Sequence, residues 1–315
     1  MAAGTSSRLA TSTRTDHSPV AAAIEVYLRA GTTDPGLKAW TGDLREKAER
    51  SHGDLRSALI GEVLRRAAGR THRPLSEFDT RRLTRRKVLP MVIGLFAAAE
   101  REAVLRLVER SIIFVTGANI ERLLMDQRWD HTAWMLGNLH LDTLGMELLS
   151  SEALPLVGLS EETTCYVSPL YFSEDDPASD FLVHEVAHIF HNCKRSRAGL
   201  TETRQREWLL EIALHKRETF AYSCEFYSWV LEHSSDAGTR RRLAAKVFAT
   251  KSLTDHRVDQ QEVADIVLEA AHGRSGWKVI LQRCRSLASS SSSAGSGRPT
   301  VQSDLEPAAI GFDPL

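Results

Sequence analysis

The chain has 315 residues, 42% of them hydrophobic, and its 40 Lys+Arg against 41 Asp+Glu leave a net charge of −1. That length can hold one large or two small domains with an ample core, and the balanced charge points to no nucleic-acid or other polyanionic partner. Cys165, Cys193, Cys224 and Cys284 show no C-x-x-C spacing, which argues against a zinc ribbon or a disulfide framework.

In chain order, residues 1–18 are rich in Ser, Thr and Arg with no apolar run, so they read as a disordered start without a secretory signal. A reducing, cytoplasmic setting is the matching expectation. Residues 21–29 read as a short helix and 37–68 as one or two amphipathic helices. The basic run at 81–87 (RRLTRRK) reads as a solvated helix approach, with contact to phosphate or an acidic partner as the rival reading. A long helix is expected over 87–110, with Pro90 in its first turn, where the missing N–H is tolerated. The apolar run at 88–99 is too short to span a bilayer, so no membrane partner is expected.

The stretch 112–172 is mixed, with strand signals at 112–115 and 163–172. Pro169 confines the second to a sheet edge or a bulge, where an extended peptide could add as a further strand. Asp175-Asp176-Pro177 signals a turn, and Ser179 or Asp180 suits the N-cap of a helix over 181–190. A loop at 194–199 follows. The apolar run in 207–214 fits strand or helix. Helices are expected at 216–233 and within 239–286, then a flexible Ser/Gly-rich tail. The division is therefore a disordered 1–18, a helical region 19–110, a catalytic domain 111–286 with C-terminal helices, and a disordered tail 287–315. The fold class is α+β, predominantly helical, with a small sheet.

Within 181–190 the strongly polar side chains are His184, Glu185 and His188, set among Leu182, Val183, Val186, Ile189 and Phe190. Such a helix is buried nearly all round, and three polar groups inside it are costly unless something satisfies them. Residues four apart share a helix face, so both imidazoles can meet one ion while Glu185 lies beside it. Two imidazoles and a distant carboxylate leave the fourth tetrahedral position of Zn²⁺ open, which suits hydrolysis better than a closed structural site.

His184, Glu185 and His188, with a glutamate further on, resemble the zincin metallopeptidases and, within them, the gluzincins. The resemblance covers the motif helix and its surroundings. It implies a zincin-like core with an active-site helix, two histidine ligands and one glutamate ligand for Zn²⁺, and Glu185 as the base that activates the zinc-bound water. The metzincin pattern is absent, because His191 and Lys194 stand where that group has its Gly and third His. His191 is left between a helix-end group and a residue supporting a ligand.

The third ligand has four candidates. The spacing of thermolysin-like gluzincins points to Glu207 or Glu211, but Glu207 lies in a polar, solvated run. Glu218 and Glu225 lie among aromatic and apolar residues, and a buried acid there needs a partner. Glu218, Tyr222 and Glu225 share one helix face. Glu218 is the assignment, with Glu211, Glu207 and Glu225 as alternatives. Glu225 is then placed to orient a histidine, and Tyr222 to stabilise the tetrahedral intermediate. The expected activity is zinc-dependent hydrolysis of a peptide or protein substrate. The alternatives are a regulatory, partner-binding protein on a zincin scaffold and a zinc hydrolase of a non-peptide amide. Oligomeric state is left open.

Overall fold

The computed structural model describes residues 18–70, 79–172, 180–234, 236–250, 253, 255, 257–285 and 308–311. Several sequence expectations fall elsewhere: the start before Ser18, the Asp175-Asp176-Pro177 turn, Ser179 as a cap, and most of the tail.

The chain is mostly helical. α1 (Pro19–Ala30), α2 (Leu44–Ala67), α3 (Thr80–Leu95) and α4 (Arg101–Ser111) precede β1 (Ile112–Phe114). α5 (Ile120–Asp126) and α6 (Asp130–Thr143) follow, then β2 (Leu156–Glu161) and β3 (Thr164–Val167). α7 (Phe181–Asn192) and α8 (Arg217–Glu232) carry the motif and the distal glutamates. α9 (Ala237–Thr250), α10 (Gln260–His272) and α11 (Gly276–Cys284) come next, and β4 (Ala308–Gly311) lies within the segment expected to be a flexible tail.

Several expectations differ. The long helix over 87–110 is two helices, α3 and α4, and Pro90 lies inside α3 rather than in its first turn. The break is capped in place, because the Arg101 guanidinium donates to the carbonyls of Phe96 (3.1 Å) and Ile93 (2.8 Å) at the end of α3. The stretch 112–172 holds two helices besides its strands, and α6 is buried on nearly every face. The strand at 163–172 stops at Val167, and Pro169 opens a 3-10 turn, Pro169–Phe172.

The sheet order is β1-β3-β2-β4. β3 is therefore internal, parallel to β1 and antiparallel to β2. Both of its edges are paired, so it cannot receive a peptide by strand addition, and that expectation is corrected. β4 covers the other side of β2, antiparallel, with Gly158 opposite Ile310.

The sheet has a core on each face. Val157, Cys165 and Val167 join α3, α4, α7, α8 and α11 in one cluster, while Leu159 and Tyr166 join α1, α2, α5 and α6 in the other. On β3 this is the period-2 placement of side chains on a strand, with Tyr166 facing away from Cys165 and Val167, whereas on β2 an irregular register at Leu156/Gly158 sets Val157 and Leu159 on opposite faces. A third cluster links Tyr222, Phe226 and Val230 of α8 to α9 and α10. The basic run lies within α3 and is partly neutralised: Arg85 pairs with Glu102 and Glu109, and Lys87 with Asp180 and Glu232. Among the described residues no helix is long and apolar enough to cross a membrane.

Candidate metal centre

α7 starts where the sequence marks a cap. Asp180 is the N-cap, and its Oδ1 accepts from the backbone N–H of Val183 at 3.3 Å. Every residue from Phe181 to His191 is buried. Packing of α8 against α7 brings the distal glutamate onto the two histidines.

His184, His188 and Glu218 offer ligand atoms that all lie within 4.8 Å of one another. Glu218 Oε2 stands 3.6 Å from His184 Nε2 and 3.4 Å from His188 Nε2. All three atoms are buried without a hydrogen-bond partner. Buried polar atoms are normally satisfied, so three orphans converging on one point is an arrangement that a bound cation would complete. Two imidazole nitrogens and one carboxylate oxygen are the donor set of a catalytic zinc site.

The far sides of both imidazoles are held. His184 Nδ1 lies 3.0 Å from Glu225 Oε2, and the other Glu225 oxygen accepts from the backbone N–H of Asp180 at 3.0 Å. His188 Nδ1 lies 3.0 Å from His191 Nε2, and His191 Nδ1 lies 3.0 Å from Asn192 Oδ1. Arg217 also donates to that Asn192 oxygen, at 3.2 Å, which identifies it as an acceptor. His191 Nδ1 must then donate, His191 Nε2 accept and His188 Nδ1 donate. The chain of tautomers leaves His188 Nε2 a bare lone pair facing Glu218.

Electrostatics divide the cluster. Burial alone would depress His184, but the carboxylates of Glu218 and Glu225 outweigh it and push its pKa up to about 10. Burial depresses His188 against the opposing pull of Glu218, and burial with the neighbouring His188 holds His191 well below the usual histidine range. Glu218 is also buried, yet His188 and His184 hold it far below the ordinary carboxylate range.

Glu185 differs from all of these. Neither carboxylate oxygen makes a hydrogen bond of good geometry, and burial raises its pKa to about 8 against the opposing pull of His184 and the neighbouring Ser160 hydroxyl. It packs against β2 at Gly158. A Cβ there would meet Glu185 Oε1 at 2.7 Å and Cγ at 2.8 Å, so only glycine lets the glutamate lie on the strand.

The other candidates are accounted for. Glu211 Oε1 accepts from the backbone N–H groups of Glu207 (2.8 Å) and Trp208 (3.0 Å), as a turn cap. Glu207 pairs with Lys194 at 2.8 Å on the surface. The apolar run that fitted strand or helix is neither: it is loop ending in a 3-10 turn, Leu214–Lys216. Tyr222 sits one turn beyond Glu218 with its ring edge-on to His184, centroids 4.4 Å apart.

Sequence reasoning did not single out Gly158, Asn192 or Arg217. His191, three residues after His188, was legible by spacing, since i and i+3 share a helix face.

Comparisons with protein-family models, with curated proteins and with solved structures give no match to this chain. The site itself is specific: the buried His184–His188–Glu218 triad, with its H-E-x-x-H spacing and distal glutamate, matches a gluzincin-type metal site.

Proposed function

We propose that the chain is a zinc-dependent metallopeptidase in which His184, His188 and Glu218 hold the metal and Glu185 is the general base. The observation that carries this reading is the pairing of three orphaned ligand atoms with a fourth, separately placed carboxylate, Glu185, that is fully buried beside them. A structural zinc has no use for such a carboxylate, whereas hydrolysis does.

Zinc at these three residues would supply Lewis-acid polarisation of a carbonyl and a water acidic enough to lose a proton near neutral pH. The rest falls to the chain. Glu225 and His191 hold the two imidazoles by Nδ1, which leaves Nε2 of each toward Glu218 Oε2, where the metal would be held. Glu185 takes the proton of the attacking water at its carboxylate and passes it to the leaving amine. In the metal-free chain burial raises its pKa to about 8, and a dication held beside it would lower that value and favour the carboxylate that the base role needs. Tyr222, against His184, is the proposed donor to the oxyanion that develops on the substrate carbonyl.

The test is a peptide-library digest read by mass spectrometry, with zinc-loaded wild type, Glu185→Gln and Tyr222→Phe. Wild type should cleave and Glu185→Gln should lose about 10²–10⁴-fold in turnover with its zinc retained. Tyr222→Phe should lose turnover with little change in KM. Cleavage by metal-replete Glu185→Gln at the wild-type rate would overturn the assignment.

A further inference from the structure

The two oxygens of Glu218 have different surroundings. Oε2 faces the histidine nitrogens and has no hydrogen-bond partner, whereas Oε1 lies 3.1 Å from Nη1 of Arg257. Arg257 belongs to the connection between α9 and α10 and is itself clamped. Its Nε lies 2.9 and 3.1 Å from the two Asp255 oxygens, its Nη2 lies 2.6 Å from Oδ2, and its backbone N–H donates to Oδ1 at 2.9 Å. Nearby, Leu253 N–H donates to Gln260 Oε1 at 2.7 Å, and Asp259 is the N-cap of α10.

We propose that Arg257 is a positioning residue that restricts Glu218 to ligation through one oxygen, which keeps a coordination position of the metal open. The inference rests on the reading of Glu218 as a metal ligand. A carboxylate can ligate through one oxygen or both, and a catalytic zinc site needs three protein ligand atoms and a vacant fourth position. With Oε1 committed to a guanidinium, the second oxygen cannot swing onto the metal. Arginine suits the task because its planar fork bridges two carboxylates in a fixed geometry, which a flexible ammonium does not reproduce. The side chain is 42% exposed, so the ion pair adds little to folding stability and its effect falls on ligand geometry.

The experiment replaces zinc with cobalt(II), whose visible absorption is intense in a four-coordinate site and weak in a five- or six-coordinate one. Wild type, Arg257→Gln, Arg257→Lys and Asp255→Asn are titrated with cobalt alone, and zinc affinity is measured by chelator competition. Wild type should give an intense spectrum. Arg257→Gln should lose most of that intensity and change zinc affinity by about 10–100-fold, the range for groups that support a ligand. Arg257→Lys should recover only part of the intensity, and Asp255→Asn, which keeps the guanidinium but loosens its anchor, should move the spectrum the same way by less. If Arg257→Gln proves unfolded by circular dichroism, Asp255→Asn carries the test. A wild-type spectrum in both Arg257→Gln and Asp255→Asn would overturn the role of Arg257 and leave the metal site standing. No cobalt uptake by wild type would instead overturn the metal-site reading itself.

Discussion

His188 and His191 form a hydrogen-bonded pair inside α7, Nδ1 to Nε2 at 3.0 Å, with Asn192 and Arg217 completing the chain. Metal-binding histidines usually lean on a carboxylate or a carbonyl. Here a neutral, buried imidazole does that work for His188, while Glu225 does it for His184.

His191→Phe keeps a buried aromatic ring, slightly larger than the imidazole, and removes the acceptor. Zinc affinity should fall by about 10–100-fold, read by chelator competition, while His191→Gln should recover part of it through its side-chain carbonyl. Equal affinity in wild type and His191→Phe would mean that the pair only fills space.

Gly158→Ala should displace Glu185. The added Cβ would lie 2.7 Å from Oε1 and 3.0 Å from Cδ, closer than nonbonded atoms approach. Overpacking of this kind costs about 1–3 kcal/mol of stability, and turnover should fall toward the level of Glu185→Gln. Zinc content should stay at the wild-type value, because the ligands are untouched. Full turnover in Gly158→Ala would show that Glu185 does not need its place on β2.

Metal binding should release a proton at neutral pH. In the metal-free protein His184 is held up to about 10 by Glu218 and Glu225, against burial, so its ring is protonated at pH 7. A raised histidine contributes stability that is fully present below its ordinary pKa of about 6.5 and is lost as pH rises toward 10. A metal competes with that proton. Zinc affinity should therefore rise by about tenfold per pH unit from 7 to 9, with one proton released per metal. Calorimetry at pH 7 in buffers of different ionisation enthalpy measures this directly, and a binding heat independent of buffer would contradict it.

The metal site was more legible than the fold because its signals are local. His184, Glu185 and His188 announce themselves by helical spacing, and Glu218 by a carboxylate set among Phe220, Ala221 and Tyr222. Its competitors lost on geometry that sequence does not carry: Glu211 is engaged by two backbone N–H groups. The break between α3 and α4 was hidden because residues 97–99, three alanines, favour helix, and the capping arginine acts through folded geometry. α6 was hidden because burial on nearly all sides erases the helical period. The internal place of β3 is hidden because Pro169 adjoins its β-branched run and signals an edge, whereas it starts the turn that follows the strand. Arg257 reaches Glu218 from a distant connection in the chain, a contact that no spacing rule encodes.

The most direct measurement is zinc per chain by elemental mass spectrometry, for wild type, Glu218→Ala and Glu211→Ala purified in parallel. The account predicts close to one zinc per chain in wild type and in Glu211→Ala, and a sharp loss in Glu218→Ala. Wild type without zinc after supplementation, or full zinc in Glu218→Ala, would contradict it.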